Sequence, residues 1–280
     1  FMMRLIQALG LAGSVLMAAG TAQAHYPFVA PLSYQTFNNH TAIISGFYDN
    51  PFVSEIAIKN FKFDVYSPAG AKLELTEADW ANTQTLSSYS LENKVDGTYR
   101  IRGEKSGSLS RFALYENMWK PLVGTKPEAV KSVNKNVVYA SQLAKNAKIK
   151  TFQTQEIIET FISRRIISHA AVEQLHGGFD VQFLTHPNTI RVNQPIQFKI
   201  LDEGQGVDHL NAEILMQTTN FSREGKILQS IKTDAQGMLN FVLSEKGQYL
   251  LNIDYQQPFD HKGNELKRYK YTLSFNVTAD

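Results

Sequence analysis

The sequence predicts a mostly all-β protein. We expect two β-sandwich domains, the C-terminal one immunoglobulin-like, with a short irregular or helical middle segment. Three observations predict it. Short runs of alternating apolar and polar residues recur along the chain, separated by clusters of Gly, Pro, Asn and Asp. Twelve Tyr and seventeen Phe favour sheet, because their rings pack well on a pleated surface. The 280 residues contain no cysteine and are 43% hydrophobic, so apolar packing rather than disulfides must hold the cores.

The first 24 residues read as an export signal. Arg4 is the only charge before the apolar stretch 5–19, and Ala22-Gln23-Ala24 supplies the small-residue exit of a signal-peptidase site. The stretch is short for a membrane span and broken by Gly and Ser. Membrane contact is therefore expected only through this segment, if it stays uncleaved. Cleavage after Ala24 leaves 27 basic against 26 acidic residues and makes His25 the new N-terminus. A terminal amine and an imidazole on one residue can chelate a metal ion, with a second histidine completing a copper-preferring brace. The plain alternative is that processing simply ends there.

Residues 25–125 form the expected N-terminal β-rich domain. Residues 41–48 make a β-rich run closed by Asp49-Asn50-Pro51. Residues 61–66 alternate, and the turn Ser67-Pro68-Ala69-Gly70 follows them. Residues 97–102 and 111–115 read as two further strands. Residues 126–178 are a basic connecting segment, with a short helix expected over 137–147. Residues 157–167 are strongly apolar around Arg164 and Arg165, and fit either a long bent strand or a helix. Residues 179–280 carry about seven alternating runs, at 179–183, 196–201, 212–216, 227–231, 239–243, 249–254 and 269–277. That number in about a hundred residues is what an immunoglobulin-like sandwich needs.

The chemistry is defined first by what is missing. A formal charge of +2 with 19% charged residues argues against nucleic-acid binding, which needs a concentrated basic surface. There is no HExxH, no GxSxG, no phosphate loop and no dinucleotide fingerprint, so no enzyme is expected. Seven histidines remain as candidates. On a helix, His169, Glu173 and His176 would share one face and suit a divalent transition metal such as Ni²⁺, Cu²⁺ or Zn²⁺. On a strand the parity breaks, and they become loop or surface residues. Tyr26, Phe28, Tyr34, Tyr48 and Trp119 would line a shallow apolar groove or else fill a core.

The residues also resemble a family of secreted bacterial proteins, domain of unknown function 4198. The resemblance is carried by Ala24-His25-Tyr26-Pro27-Phe28, Gly97-Thr98-Tyr99, Trp119, Leu184-Thr185-His186-Pro187, the turn Thr233-Asp234-Ala235-Gln236-Gly237, Phe241 and Gly247-Gln248-Tyr249. Phe28 stands where the family usually has tryptophan, and the lysine-rich middle segment is not a hallmark of the family. The resemblance implies a periplasmic or cell-surface β protein that handles nickel, cobalt or copper through His25 and further histidines. Its partner would be an inner-membrane metal transporter or another envelope protein. The rival expectation is a non-catalytic interaction module that binds a protein or glycan through sandwich loops or an edge strand.

Overall fold

The computed structural model describes residues 26–124, 135–218 and 226–279. The strands of three or more residues run in chain order as follows. They are β1 (Tyr26–Pro31), β2 (His40–Tyr48), β3 (Lys62–Tyr66), β4 (Lys72–Glu74), β5 (Ser87–Glu92), β6 (Gly97–Tyr115), β7 (Met118–Val123) and β8 (Ile149–Arg164). After a one-turn helix α1 (Ala170–Glu173) come β9 (Phe179–Phe183), β10 (Ile196–Asp202), β11 (Asn211–Met216), β12 (Lys226–Lys232), β13 (Met238–Phe241), β14 (Gly247–Gln256) and β15 (Glu265–Val277). The protein is all-β, as expected.

The strands form three sheets. A five-stranded sheet holds β1, β2 and β5, with the short strands Ile56–Ala57 and Ala81–Asn82 attached. An eleven-stranded sheet runs β7-β6-β8-β15-β14-β11-β12 through both halves of the chain, with β3 and β4 beside β6. A four-stranded sheet holds β9, β10 and β13. The large sheet is the middle of three layers. On one face Ile158 and Ile162 of β8, with Tyr99 and Ile101 of β6, pack against Val29, Ile43 and Leu91 of the five-stranded sheet. On the other face Ile157 and Phe161 of β8, with Leu251, Leu273 and Phe275, pack against Val181, Phe198, Ile200 and Leu239 of the four-stranded sheet. A smaller cluster of Phe28, Tyr48, Leu215 and Leu250 continues the first interface.

β8 therefore serves two cores, one per face, because successive side chains of a strand point oppositely. That requirement explains the segment 157–167. A strand buried on both faces reads as a continuous apolar run, which periodicity alone cannot separate from a helix. The structure makes it a strand to Arg164, irregular between Gln153 and Gln155, and Arg165 then turns away with φ +59°. β8 pairs antiparallel with β6 and parallel with β15, so one strand joins N-terminal and C-terminal elements in a single ladder.

Other expectations meet corrections. The runs 97–102 and 111–115 are the two ends of one nineteen-residue strand, β6. The helix expected over 137–147 reduces to the bridge Val138–Tyr139 and a 3₁₀ turn, Ala140–Gln142. The basic segment falls partly outside the described residues.

Two motifs have the same physical job in the two halves. Gly97 and Gly247 open β6 and β14 with φ +126° and +142°, conformations that L side chains resist. Two residues on, the Tyr99 hydroxyl donates to the Val95 carbonyl (3.0 Å) and the Tyr249 hydroxyl to the Glu245 carbonyl (2.6 Å). Each is a tyrosine corner that fixes the entry of its strand. In the Thr233–Gly237 turn, Gly237 has φ +84°, and a Cβ there would lie 2.6 Å from the Ile200 carbonyl oxygen. Only glycine fits.

Candidate binding site

The predicted histidines are dispersed to different tasks. Residues 1–24 and His25 lie outside the described residues. His169 caps α1, is exposed, and has Nδ1 3.9 Å from Glu173 Oε1. The helix ends at Glu173, and Gln174 is already extended (φ −65°, ψ 119°), so the shared face that would have added His176 does not form. His176 turns inward instead. Its Nε2 is 3.0 Å from the Tyr66 hydroxyl, and its Nδ1 is 3.3 Å from Asp180 Oδ2. Among the described residues no group of three or more His, Asp and Glu is arranged to hold a metal ion.

His176 belongs to a buried ionic lattice between the two halves. Arg100, fully buried on β6, donates through Nε to Glu159 Oε2 on β8 (2.8 Å). Its Nη1 donates to the carbonyls of Gln174 (2.7 Å) and Ala171 (3.3 Å). Its Nη2 sits 2.8 Å from the same Glu159 oxygen without hydrogen-bond alignment. Arg102 reaches Glu159 (3.2 Å), Asp180 on β9 (3.4 Å) and Glu104 (2.8 Å). The Tyr271 hydroxyl on β15 donates to the other Glu159 oxygen. Burial pushes the Asp180 carboxyl up, but the bond from His176 and the Arg102 and Arg100 guanidiniums outweigh it and hold the group below the usual carboxylate range. Burial likewise lowers Arg102, and the Glu159, Asp180 and Glu104 carboxylates more than reverse that. Two cations face two buried anions. The lattice is a structural lock, closed to ligand.

A second knot contains His186. The Asn188 N–H donates to its Nδ1 (3.0 Å), so the proton sits on Nε2, which faces the Ser168 carbonyl (2.9 Å) and Thr98 Oγ1 (3.2 Å). Thr98 Oγ1 continues to Ser163 Oγ (2.8 Å), which accepts from Asn188 Nδ2 (2.8 Å). Burial holds the imidazole below its ordinary value, only partly offset by the Ser168 carbonyl. The lowered folded-state pKa fixes the sign. His186 supports folding fully above about pH 6.5, and that support is lost as pH falls below it toward the folded-state value. Urea midpoints measured between pH 7.5 and 5 should fall, and less steeply in a His186→Gln variant. Parallel slopes would refute the assignment.

One of several open concavities lies elsewhere, at the edge of the N-terminal core. A cavity of about 320 Å³ is lined by Ala57, Ile58, Phe61, Phe63, Leu75 and Trp80, with Lys59, Asn60, Thr76, Glu77, Asn82 and Thr83 at its rim. The segment leading into β3 builds one wall. The other is the 3₁₀ turn Glu77–Asp79, locked by Thr76 N–H (2.7 Å) and Thr76 Oγ1 (3.1 Å) donating to Asp79 Oδ2. The turn ends at Trp80, whose ring centroid is 4.6 Å from that of Phe63. Five rings form a row, Phe47–Phe61–Phe63–Trp80–Tyr89, at successive spacings of 6.4, 6.1, 4.6 and 5.7 Å. All but Phe63 are only partly buried. Asn60 takes φ +61°, a left-handed value that asparagine tolerates. The side chains of Lys59, Asn60 and Glu77 are exposed. Asn82 and Thr83, by contrast, spend their side chains on Ser87 and on the Thr83–Leu86 turn.

The aromatic residues singled out in the sequence are not the cleft. Phe28, Tyr34 and Tyr48 are core, and Trp119 stacks on Phe259 at 5.0 Å. Tyr26, 43% exposed, borders a smaller cavity of about 240 Å³ with Glu213, Asn252, Asp254 and Lys270. Trp80 stands outside the residues singled out in the sequence. Its signal was a tryptophan among polar turn residues, Glu77-Ala78-Asp79-Trp80-Ala81-Asn82, outside any alternating run.

Fold and cleft together define an all-β protein of three stacked sheets with an aromatic cleft at one edge. The chain matches the profile of domain of unknown function DUF4198 over residues 22–257 and belongs to that family. No curated protein matches it in sequence. Solved structures resemble it only loosely. An Escherichia coli alpha-2-macroglobulin activated by porcine elastase has TM-score 0.25 and 8% identity, over 92% of this chain and 20% of that one. The D0-D1 domain of intimin has TM-score 0.21 and 9% identity, over 88% and 96%. A DUF4785 family protein from Legionella pneumophila has TM-score 0.25 and 9% identity, over 80% and 51%. The chain thus spans a fifth of the macroglobulin and about half of the Legionella protein. No helix among the described residues is long and apolar enough to cross a membrane.

Proposed function

We propose that this chain is a non-catalytic binding protein of the bacterial envelope, exported to the periplasm or cell surface, and that the cleft at Trp80 holds its ligand. We take its halves as β-sandwich units sharing a middle sheet, the C-terminal unit immunoglobulin-like. The observation that carries the reading is the pairing of an aromatic floor with exposed polar side chains at the rim. Small-molecule sites are typically apolar concavities with a few placed polar groups, of about 300–1,000 Å³. A cleft walled by a hydrogen-bonded turn is also pre-organised, which lowers the ordering cost of binding. Ligand-observed NMR with a set of small aromatic and polar fragments tests this. Saturable binders should weaken at least about tenfold in Phe61→Ala, a loss of the size aromatic contacts give. Undiminished binding would remove the cleft from the proposal.

A second reading, metal handling, has its own support. His25 is one peptide bond from Tyr26, which borders the cavity containing Glu213 and Asp254. A processed His25 would carry an amine and an imidazole on one residue, a donor pair suited to Ni²⁺, Co²⁺ or Cu²⁺. An inner-membrane metal transporter would then be its partner. Mass spectrometry of exported protein should find His25 as the N-terminus, and calorimetry should show one metal bound. Affinity should fall as pH drops through about 6.5, and His25→Ala should abolish it. Equal titrations of both proteins would end this reading.

A further inference from the structure

We infer that the cleft takes the pyranose rings of a neutral glycan; this rests on the cleft being the ligand site. The floor carries three successive rings, Phe61–Phe63–Trp80, rather than one pocketed anchor, and Phe61 and Trp80 are only partly buried. Consecutive sugar rings are the ligand whose shape repeats in the same way. Each pyranose has an apolar C–H face that stacks on an aromatic ring and an edge of hydroxyls that must be hydrogen-bonded once removed from water. The rim meets that second demand. Lys59 offers donors, Glu77 offers acceptors, and the Asn60 amide offers both. Trp80 itself lines the same cavity.

Charge narrows the class. The lining contributes one cation, Lys59, and one anion, Glu77, which gives no net field to select a polyanion or a basic peptide. A peptide anchor would favour a single deep apolar hole with backbone partners. Here the aromatic wall is drawn out along Phe61, Phe63 and Trp80, and the open polar groups are side-chain ends. The second cation near the row, Lys105, lies 5.8 Å from the Phe61 ring centroid and is engaged with its face.

The chain has two tryptophans, Trp80 and Trp119, so a Trp119→Phe protein reports on the cleft alone by emission. Titration with β-1,4-linked N-acetylglucosamine, β-1,4-linked glucose and α-1,4-linked glucose tetramers should give a saturable change with at least one. In that background Asn60→Gly with Glu77→Ala should weaken it about tenfold or more, since two hydrogen-bonding groups are lost. Glycine suits the left-handed backbone at position 60, so the fold is kept, and a thermal melt checks this. No response to any tetramer, while aromatic fragments still bind Trp80, overturns the glycan and leaves the cleft standing. No response to either class overturns both. A response unchanged by the rim substitutions, or seen only with aromatic tetrapeptides, also overturns the glycan.

Discussion

Replacing Arg100 by methionine is expected to lower the unfolding free energy by about 3–5 kcal/mol, the usual cost of removing one partner from a buried ion pair. The side chain has no exposed surface and its guanidinium satisfies several groups at once. Glu159 would keep only Arg102 and the Tyr271 hydroxyl, and the Gln174 and Ala171 carbonyls would lose their donor. Asp180 would lose one of the two guanidiniums that hold its carboxyl ionised. Arg100→Lys should recover only part of the loss, because a single ammonium cannot match a planar fork that reaches a carboxylate and two carbonyls. Urea unfolding at pH 7 measures both. A loss below about 1 kcal/mol for Arg100→Met, well under the buried-pair range, would show that the lattice does not hold the halves together.

The second large effect concerns cooperativity. Phe198 is fully buried in the C-terminal core, and Phe198→Ala should cost about 3–5 kcal/mol. Trp119 stacks on Phe259 of the C-terminal half, so the N-terminal core is read from Trp80 in a Trp119→Phe background. Because β8 gives Phe161 to one core and Ile162 to the other, neither core can melt while its shared strand stays fixed by its partner. Tryptophan emission and far-UV circular dichroism should therefore shift together in Phe198→Ala, with one midpoint. Emission that keeps its wild-type midpoint would mean the halves unfold separately, whatever their shared ladder.

These effects separate what could be read in the residues from what could not. The alternating runs of the last hundred residues became strands nearly as expected, and β9, β10 and β13, which form an outer sheet, write their period directly into the sequence. Gly97-Thr98-Tyr99 and Gly247-Gln248-Tyr249 were legible as strand starts shared with the family, whereas the positive φ of each glycine and the hydroxyl bond of each tyrosine came from the structure. The His169–Glu173–His176 alignment depended on how far a helix would run. Asp180 decided that by drawing the His176 backbone and ring inward.

The sequence by itself determined an all-β chain, many of its turns, and the family to which it belongs. Tertiary structure alone decided that both halves share a middle sheet, that Arg100 and Glu159 meet across strands 59 positions apart in sequence, and that Phe61, Phe63 and Trp80 line one cleft. The reason is physical. Local preference is set by neighbours within a few residues, whereas burial, ion pairing and concavity depend on which distant strands the packing brings together.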